Sequence, residues 1–250
     1  LKLKDLPKGW RWVRLGEVAE VFSGSSAPQG QMFYENGLYP FVRAQDLGRY
    51  GRTKNLTDTK DKVNKFAVKK YKLRHASRRT ILFPKSGAAI LTNNRAMLGI
   101  DAYIVSHLAA IKAIESAASA GFLYYWLCHL DISRFIENEA YPSLKLSKIK
   151  SFQIPLPPLP EQRRIVARIE ELVNRIEEAK RLRRAAREET DAIMPAVLHE
   201  VFSRANTQGW KKNKIAELIT DIKTGTTPPF KADQILRGKY PMVHSWGSWP

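Results

Sequence analysis

Ile154-Pro-Leu-Pro-Pro-Leu-Pro160, running on into Glu161-Gln-Arg-Arg-Ile-Val-Ala-Arg-Ile169, is the stretch around which the chain is organised. Pro160 suits the first position of a helix, and Glu161 sets negative charge near the positive end of its dipole. No Ser, Thr, Asp or Asn cap precedes it, because Leu159 stands there. Apolar residues then recur at three and four: Ile165, Ile169, Leu172, Ile176 and Ala179, continuing through Ala186, Ile193 and Val197. Arg183 and Thr190 interrupt two seam positions. This spacing predicts one long helix over residues 159–204 with a single stripe that seeks a partner helix. If unbroken over about 43 residues, at ~1.5 Å each it is a rod of roughly 64 Å, a spacer or an assembly strut. Pro195 predicts a kink or an early end.

The bulk composition points to a polyanion. A chain of 250 residues carries 42 Lys+Arg against 24 Asp+Glu, a net charge of +18. Residues 1–80 hold 18 basic and 7 acidic residues, whereas 161–204 hold 10 and 9. Between Arg43 and Arg79 there are 13 basic residues and 3 acidic ones. The polyanion therefore belongs to the N-terminal globular part, and nucleic acid is favoured over a merely solvated surface. No apolar run is long enough to cross a bilayer, and residues 1–20 lack a signal-peptide core. The single Cys128 excludes an intrachain disulfide and fits a reducing compartment, the cytoplasm. The histidines and the cysteine show no metal-ligand spacing.

Residues 1–158 read as one mixed α+β domain. Leu15 to Phe22 is a short apolar element closed by the turn-rich Ser23-Gly-Ser-Ser-Ala-Pro-Gln-Gly30. Tyr39 to Arg43 looks like a strand, and Thr80 to Pro84 and Ala88 to Thr92 like two strands around Lys85-Ser-Gly87. Tyr103 to Ile114 fits strand or helix. Gly121 to about Glu137 predicts a helix with Leu123, Leu127 and Leu130 on one side, and Cys128 and His129 as packing residues. Leu146 to Ile154 closes the domain as a helical turn and a strand.

After the predicted helix the sequence begins again. Gly9-Trp10 returns as Gly209-Trp210, Leu15-Gly-Glu-Val18 as Ile215-Ala-Glu-Leu218, and Phe22-Ser-Gly24 as Ile222-Lys-Thr-Gly225. Gly37-Leu-Tyr-Pro-Phe-Val42 returns as Gly238-Lys-Tyr-Pro-Met-Val243. Four matches at an offset of 200 to 201 residues predict a duplicated domain rather than a solenoid. Residues 205–250 are its beginning, too short alone to rebuild the first core.

The opening Leu6-Pro-Lys-Gly-Trp10 with Leu15-Gly-Glu-Val18, the proline run through Glu161-Gln162 with Ile165-Val166, and the helix ending Ile193 to Phe202 together carry a family resemblance. The chain resembles the DNA-specificity subunit of type I restriction-modification systems. The resemblance implies a target recognition domain (1–158), a first central spacer helix (159–204) and the start of a second recognition domain (205–250). It implies that the domain reads one half of a split duplex target while the helix fixes the distance to the other half. It further implies that the chain is not an enzyme and binds no cofactor. Adenine methylation with S-adenosylmethionine would belong to modification subunits, and ATP- and Mg-dependent translocation and cleavage to restriction subunits. The helix stripe of Ile165, Ile169, Leu172, Ile176, Ala179, Ile193 and Val197 would meet a second helix or a second copy of the chain.

Phosphate contacts are expected from Arg43, Arg49, Arg52 and Lys54, with some of Lys60 to Arg79. Base reading needs planar donors and acceptors on loops. Ser25 to Gln31, Arg43-Ala-Gln45, Lys85 and Asn93-Asn94-Arg95 offer them, as does Tyr141 to Lys145 with Ser143. Asn, Ser and Gly also serve plain turn geometry, which is the competing explanation at each place. Trp10 and Trp12 are expected in the core. The rival function is a DNA adenine methyltransferase fragment, suggested by Thr227-Pro-Pro-Phe230. Thr lacks the amide or carboxylate oxygen that would accept from an adenine amine, and no glycine-rich strand-turn-helix for S-adenosylmethionine is visible. A helix-mediated scaffold with an incidental basic surface is the third possibility, against which the clustered charge weighs.

Overall fold

The molecule is described by a computed structural model covering residues 6–49, 53–136, 141–204, 209, 211 and 213–219. The chain divides into two compact units, Leu1–Leu182 and Arg183–Pro250.

In the first unit, β1 (Arg11–Arg14) leads through a helical turn, α1 (Leu15–Val18), into β2 (Ala19–Ser23). Then come β3 (Tyr39–Val42), α2 (Ala44–Arg49), β4 (Thr53–Leu56), β5 (Asp61–Val63), α3 (Lys65–Lys70) and β6 (His75–Ala76). β7 (Ile81–Pro84), β8 (Ala96–Leu98), β9 (Ala102–Ile104) and β10 (Leu108–Ala113) follow. α4 (Ala120–His129), α5 (Leu146–Lys150) and β11 (Gln153–Leu156) close the domain before α6 (Leu159–Ser203).

The strands form three sheets, ordered β2-β10-β7-β8-β4, β5-β3-β9-β6 and β1-β11. Pairing is mixed: β3 with β9 and β4 with β8 are parallel, and the other pairs are antiparallel. The five-stranded sheet is covered on both faces, which explains its unbroken apolar runs. Ile81, Phe83, Ala109 and Ile111 enter a core shared with α1, α4 and α5. Their neighbours Leu82, Leu108 and Ala110 enter a second core beneath the four-stranded sheet. A strand that alternates between two dry faces needs apolar residues at every position.

Several sequence expectations change. Ala88–Thr92 is a 3-10 turn and not a strand, bracketed by left-handed Gly87 (φ 74°) and Asn93 (φ 55°), with only Ile90 buried. The region 103–114 resolves into β9 and β10. The predicted helix from Gly121 stops at His129, and Ile132–Phe135 forms a separate 3-10 turn capped by Asp131. His129 is exposed, so it is not a packing residue, whereas Cys128 packs against the first core. Trp12 is 45% exposed, because the β1-β11 sheet buries Val13, Ile154 and Leu156 and leaves alternate positions outside. α6 continues past Pro195 to Ser203. No helix among the described residues is long and apolar enough to cross a membrane.

The second unit contains the later turns of α6 and, further on, α7 (Ile215–Leu218). Ile215–Leu218 is the sequence counterpart of Leu15–Val18, and both are single helical turns. Gly209 and Gly9 share positive φ, 72° and 86°.

Candidate nucleic-acid interface

Three loops distant in sequence are laced together at one edge of the first unit. Lys85 N–H donates to His107 O (2.8 Å), and Lys85 O accepts from Leu144 N–H (2.8 Å). Gly87 N–H donates to Pro142 O (2.9 Å), and Ser86 bridges Ser143. Ser86 Oγ and His107 Nδ1 lie 2.8 Å apart. The Lys85–Gly87 turn is thus a bracket that holds the Tyr141–Lys145 loop in place.

A shallow cleft follows this bracket. It starts beside Arg43, Gln45 and His107, passes Ser86, Gly87 and Ala88, and runs between Leu91 and Tyr141. It continues along Ser143, Lys145, Ser147 and Lys148. Gln45, Ser143, Lys145 and Lys148 are exposed, and Tyr141 is 83% exposed. Behind the cleft, the Asp46 carboxylate is buried and accepts from the Arg43 and Lys60 N–H groups (2.8 and 3.0 Å), which fixes the turn presenting Gln45. Planar amide, hydroxyl, phenol and ammonium groups in one open track suit a polar, anionic polymer.

Other expected contacts lie elsewhere or, like Arg43 at the head of the cleft, are engaged within the domain. Arg95 is a correction: only 1% exposed, it lies inside the domain. Its guanidinium donates to Leu127 O, Leu130 O, Asn94 O and Asn93 Oδ1 (3.2, 3.3, 2.7 and 2.6 Å). It satisfies carbonyls left open at the end of α4 and cannot reach a base edge. Asn93 is engaged with it and also accepts from Ile132 N–H. Asn94 is half-buried against Gly48.

Ser25 Oγ donates to Lys72 O and accepts from Arg74 N–H, stitching the loop beyond β2 to the segment after α3. Arg43 is held by Asp61 and the Tyr34 hydroxyl (2.5 and 2.8 Å), which takes up its charge. Burial raises the pKa of that phenol, with the Arg43 charge working against it. Lys54 pairs with Glu170 of α6, away from the cleft. Burial, aided by the Arg79 charge, lowers its pKa below the usual lysine value. The Arg49 side chain and Arg52 lie outside the described residues, as does Thr227-Pro-Pro-Phe230.

Among the described residues, no carboxylate lies within ion-pair distance of Lys60, Lys62, Lys65, Lys69, Lys70 or Lys72. These lysines around β5 and α3 add open positive charge to that of Lys145 and Lys148, with Lys70 resting over the Phe33 and Phe66 rings. Sequence reasoning missed Ser86, His107 and Lys148. Lys148 follows Lys145 at helical spacing, a signal that was available; the Ser86–His107 contact joins residues 21 apart and left none.

On α6, Ile165 packs with Val166 against the domain's own core and Ile169 is half-buried. Leu172, Ile176, Ala179, Ile193 and Val197 are exposed.

The family model for the type I restriction modification DNA specificity domain matches residues 7–185. The chain is similar to the type I restriction enzyme MjaIX specificity subunit of Methanocaldococcus jannaschii, 29% identical over 198 residues, covering 78% of this chain and 45% of that protein. The EcoR124I/EcoR124II specificity subunit of Escherichia coli is 27% identical over 169 residues, covering 62% and 39%. The chain therefore spans less than half the length of these relatives. Among solved structures, a chain from work on complex assembly and conformational transition of the type I R-M system aligns with TM-score 0.58 and 25% identity, covering 80% and 46%. The HsdS subunit from Thermoanaerobacter tengcongensis aligns with TM-score 0.51 and 27% identity, covering 71% and 40%. The family model alone takes in the whole recognition fold and the root of α6: the chain belongs to the type I restriction-modification DNA specificity domain family.

Proposed function

We propose that this chain is a sequence-specific DNA reader of a type I restriction-modification complex. Its first unit reads one half of a split target, and α6 serves as spacer and strut. The observation that carries this is the open polar cleft, where Gln45 from the first turn of α2 meets Tyr141, Ser143 and Lys145 from the loop before α5. The unpaired lysines of β5 and α3 supply salt-dependent, sequence-independent affinity. Duplex binding by the full chain, followed by selection from random duplexes, tests the proposal. Lys145→Glu with Lys148→Glu is expected to weaken binding to all sequences, and a folded chain that binds no duplex at low salt would sink it.

Residues 205–250 are proposed as the start of a second recognition domain. Gly24 and Gly37 admit no β-carbon, because the carbonyls of Ile104 and Lys62 occupy that space, and both return as Gly225 and Gly238. Gly16 faces only the Lys150 side chain (3.1 Å) and Lys150 O (3.5 Å), and it returns as Ala216. At these three positions the repeat keeps glycine where a carbonyl fills the space and relaxes it where a side chain does, although Gly30 (φ 106°) is matched by Lys231 at the same offset.

Catalysis and its cofactors are assigned to partner modification and restriction subunits, with none on this chain. The exposed stripe of α6 is proposed to meet a second helix, from elsewhere in the protein or from a second copy of the chain. A twofold axis makes such a stripe complementary to itself. Sedimentation of the wild-type chain beside a Leu172→Asp, Ile176→Asp variant distinguishes these: self-pairing predicts a dimer for the first and a monomer for the second. The methyltransferase-fragment alternative gains nothing from a family match to specificity domains.

A further inference from the structure

α6 carries a second row of side chains besides its exposed stripe. Gln162, Val166 and Glu170 stand four residues apart and share one side of the helix. All three touch the recognition domain, each by a different chemistry. Gln162 is the one fully buried residue of α6. Its Oε1 accepts from Ser119 N–H (2.8 Å), and its Nε2 donates to Pro157 O (2.9 Å) and Ala117 O (3.3 Å). Both amide hydrogens and the oxygen are used. Ser119 in turn caps α4, accepting from Phe122 N–H (3.2 Å). One turn on, Val166 rests on Gly121, where an added β-carbon would stand 3.2 Å from Val166 Cγ1. A further turn on, Glu170 pairs with Lys54 of β4. The contacts span about 12 Å of helix axis, enough to fix direction as well as position.

We propose that Gln162 and this row form the angular joint of the reader, and so determine which spacer length between half-sites is accepted. The inference rests on the split-target function proposed above. One base pair more or less moves a half-site by about 3.4 Å and turns it by about 35°. A helix of given length can reject such a step only if its root does not swing. Displacing Val166 by about 0.3 Å, about 6 Å from Gln162, tilts the axis by about 3°. By Leu182, about 30 Å from Gln162, the axis has then moved about 1.5 Å, nearly half a base-pair rise. Small changes at the root are therefore large at the scale of DNA.

Methylation mapping in cells carrying the intact system reads the spacer distribution. Gln162→Met keeps the volume and removes all three hydrogen bonds. It is expected to spread methylation onto gaps one base pair shorter and longer, with discrimination falling about tenfold and the half-site bases unchanged. Hydrogen exchange at the Ser119 amide should accelerate in the same full-length chain. Should that variant fold poorly, Gly121→Ala keeps the hydrogen bonds, favours α4 and presses on Val166; it is expected to change the gap distribution while leaving Ser119 exchange slow. Either variant, folded and with the parental gap distribution, overturns the joint and leaves the split-target function standing. A wild-type system that marks sequences with no fixed gap overturns that function, and the joint with it.

Discussion

α4 and α6 are helices built in opposite ways. Six of the ten residues of α4 are buried, but one of the 45 of α6 is. α4 reads Ala-Gly-Phe-Leu-Tyr-Tyr-Trp-Leu-Cys-His, apolar on every side, and is helical because the domain surrounds it. α6 is lined with local ion pairs, Glu161 with Arg164, Glu171 with Arg168, Glu177 with Lys180 and Glu178 with Arg181. The bond from Arg164 also lowers the pKa of Glu161. The less buried helix is thus the one whose polar faces are satisfied along its own length. A stripe the domain does not cover remains available for another helix, while burial of α4 builds the first core of the domain.

Changes in the two helices should therefore separate cleanly. Leu123→Ala in α4 is expected to cost about 2–5 kcal/mol in urea unfolding of the full chain, whereas Ile176→Ala should stay within about 0.5 kcal/mol. Equal losses would mean that α6 is covered after all. The same contrast applies to two residues sharing the chemistry expected of base readers. Arg95→Ala should destabilise by roughly 2–4 kcal/mol, since it opens a cavity and strands carbonyls at the end of α4. Among molecules that still fold, its sequence preference in a duplex selection should match the parent's. Gln45→Ala should do the reverse, leaving stability unchanged and relaxing preference at one position by about 1–3 kcal/mol. The smallest effects fall on the open lysines. Each of Lys62→Gln, Lys65→Gln and Lys69→Gln should shorten the slope of log affinity against log salt by about 0.9 without altering preference.

Much of this was legible in the sequence. β3, β7, α5, β11 and α6 announce themselves by apolar pattern, proline or turn residues, and the proline run marks the domain exit. The Tyr141–Lys145 loop was legible as a polar loop and lines the cleft; Gln45 lines it too, but from the first turn of α2 and not from the expected loop. Arg95 misled because its role is set by tertiary placement: a guanidinium that suits guanine also suits the carbonyls at the end of a helix. Asn93 misled for the same reason, since it is both the left-handed residue ending a 3-10 turn and a partner of Arg95. Ala88–Thr92 resembled a strand until the flanking positive φ angles turned it into a helical corner. Lys54 counted as free charge because no local spacing could disclose Glu170, 116 residues away.

The pairing of β1 with β11 has a consequence of another kind. Arg11 stands opposite Leu156 and Arg14 opposite Gln153, so the path into the domain and the path out run side by side, about 5 Å apart. Everything between residues 15 and 152 hangs from that two-stranded clasp as a closed cassette. A different interior that begins and ends in the same pair of strands could take its place, provided it also supplied the contacts that Lys54, Ser119 and Gly121 make with the root of α6. On the split-target proposal, the clasp together with those three contacts would let what is read be exchanged while the ruler that measures the gap is kept.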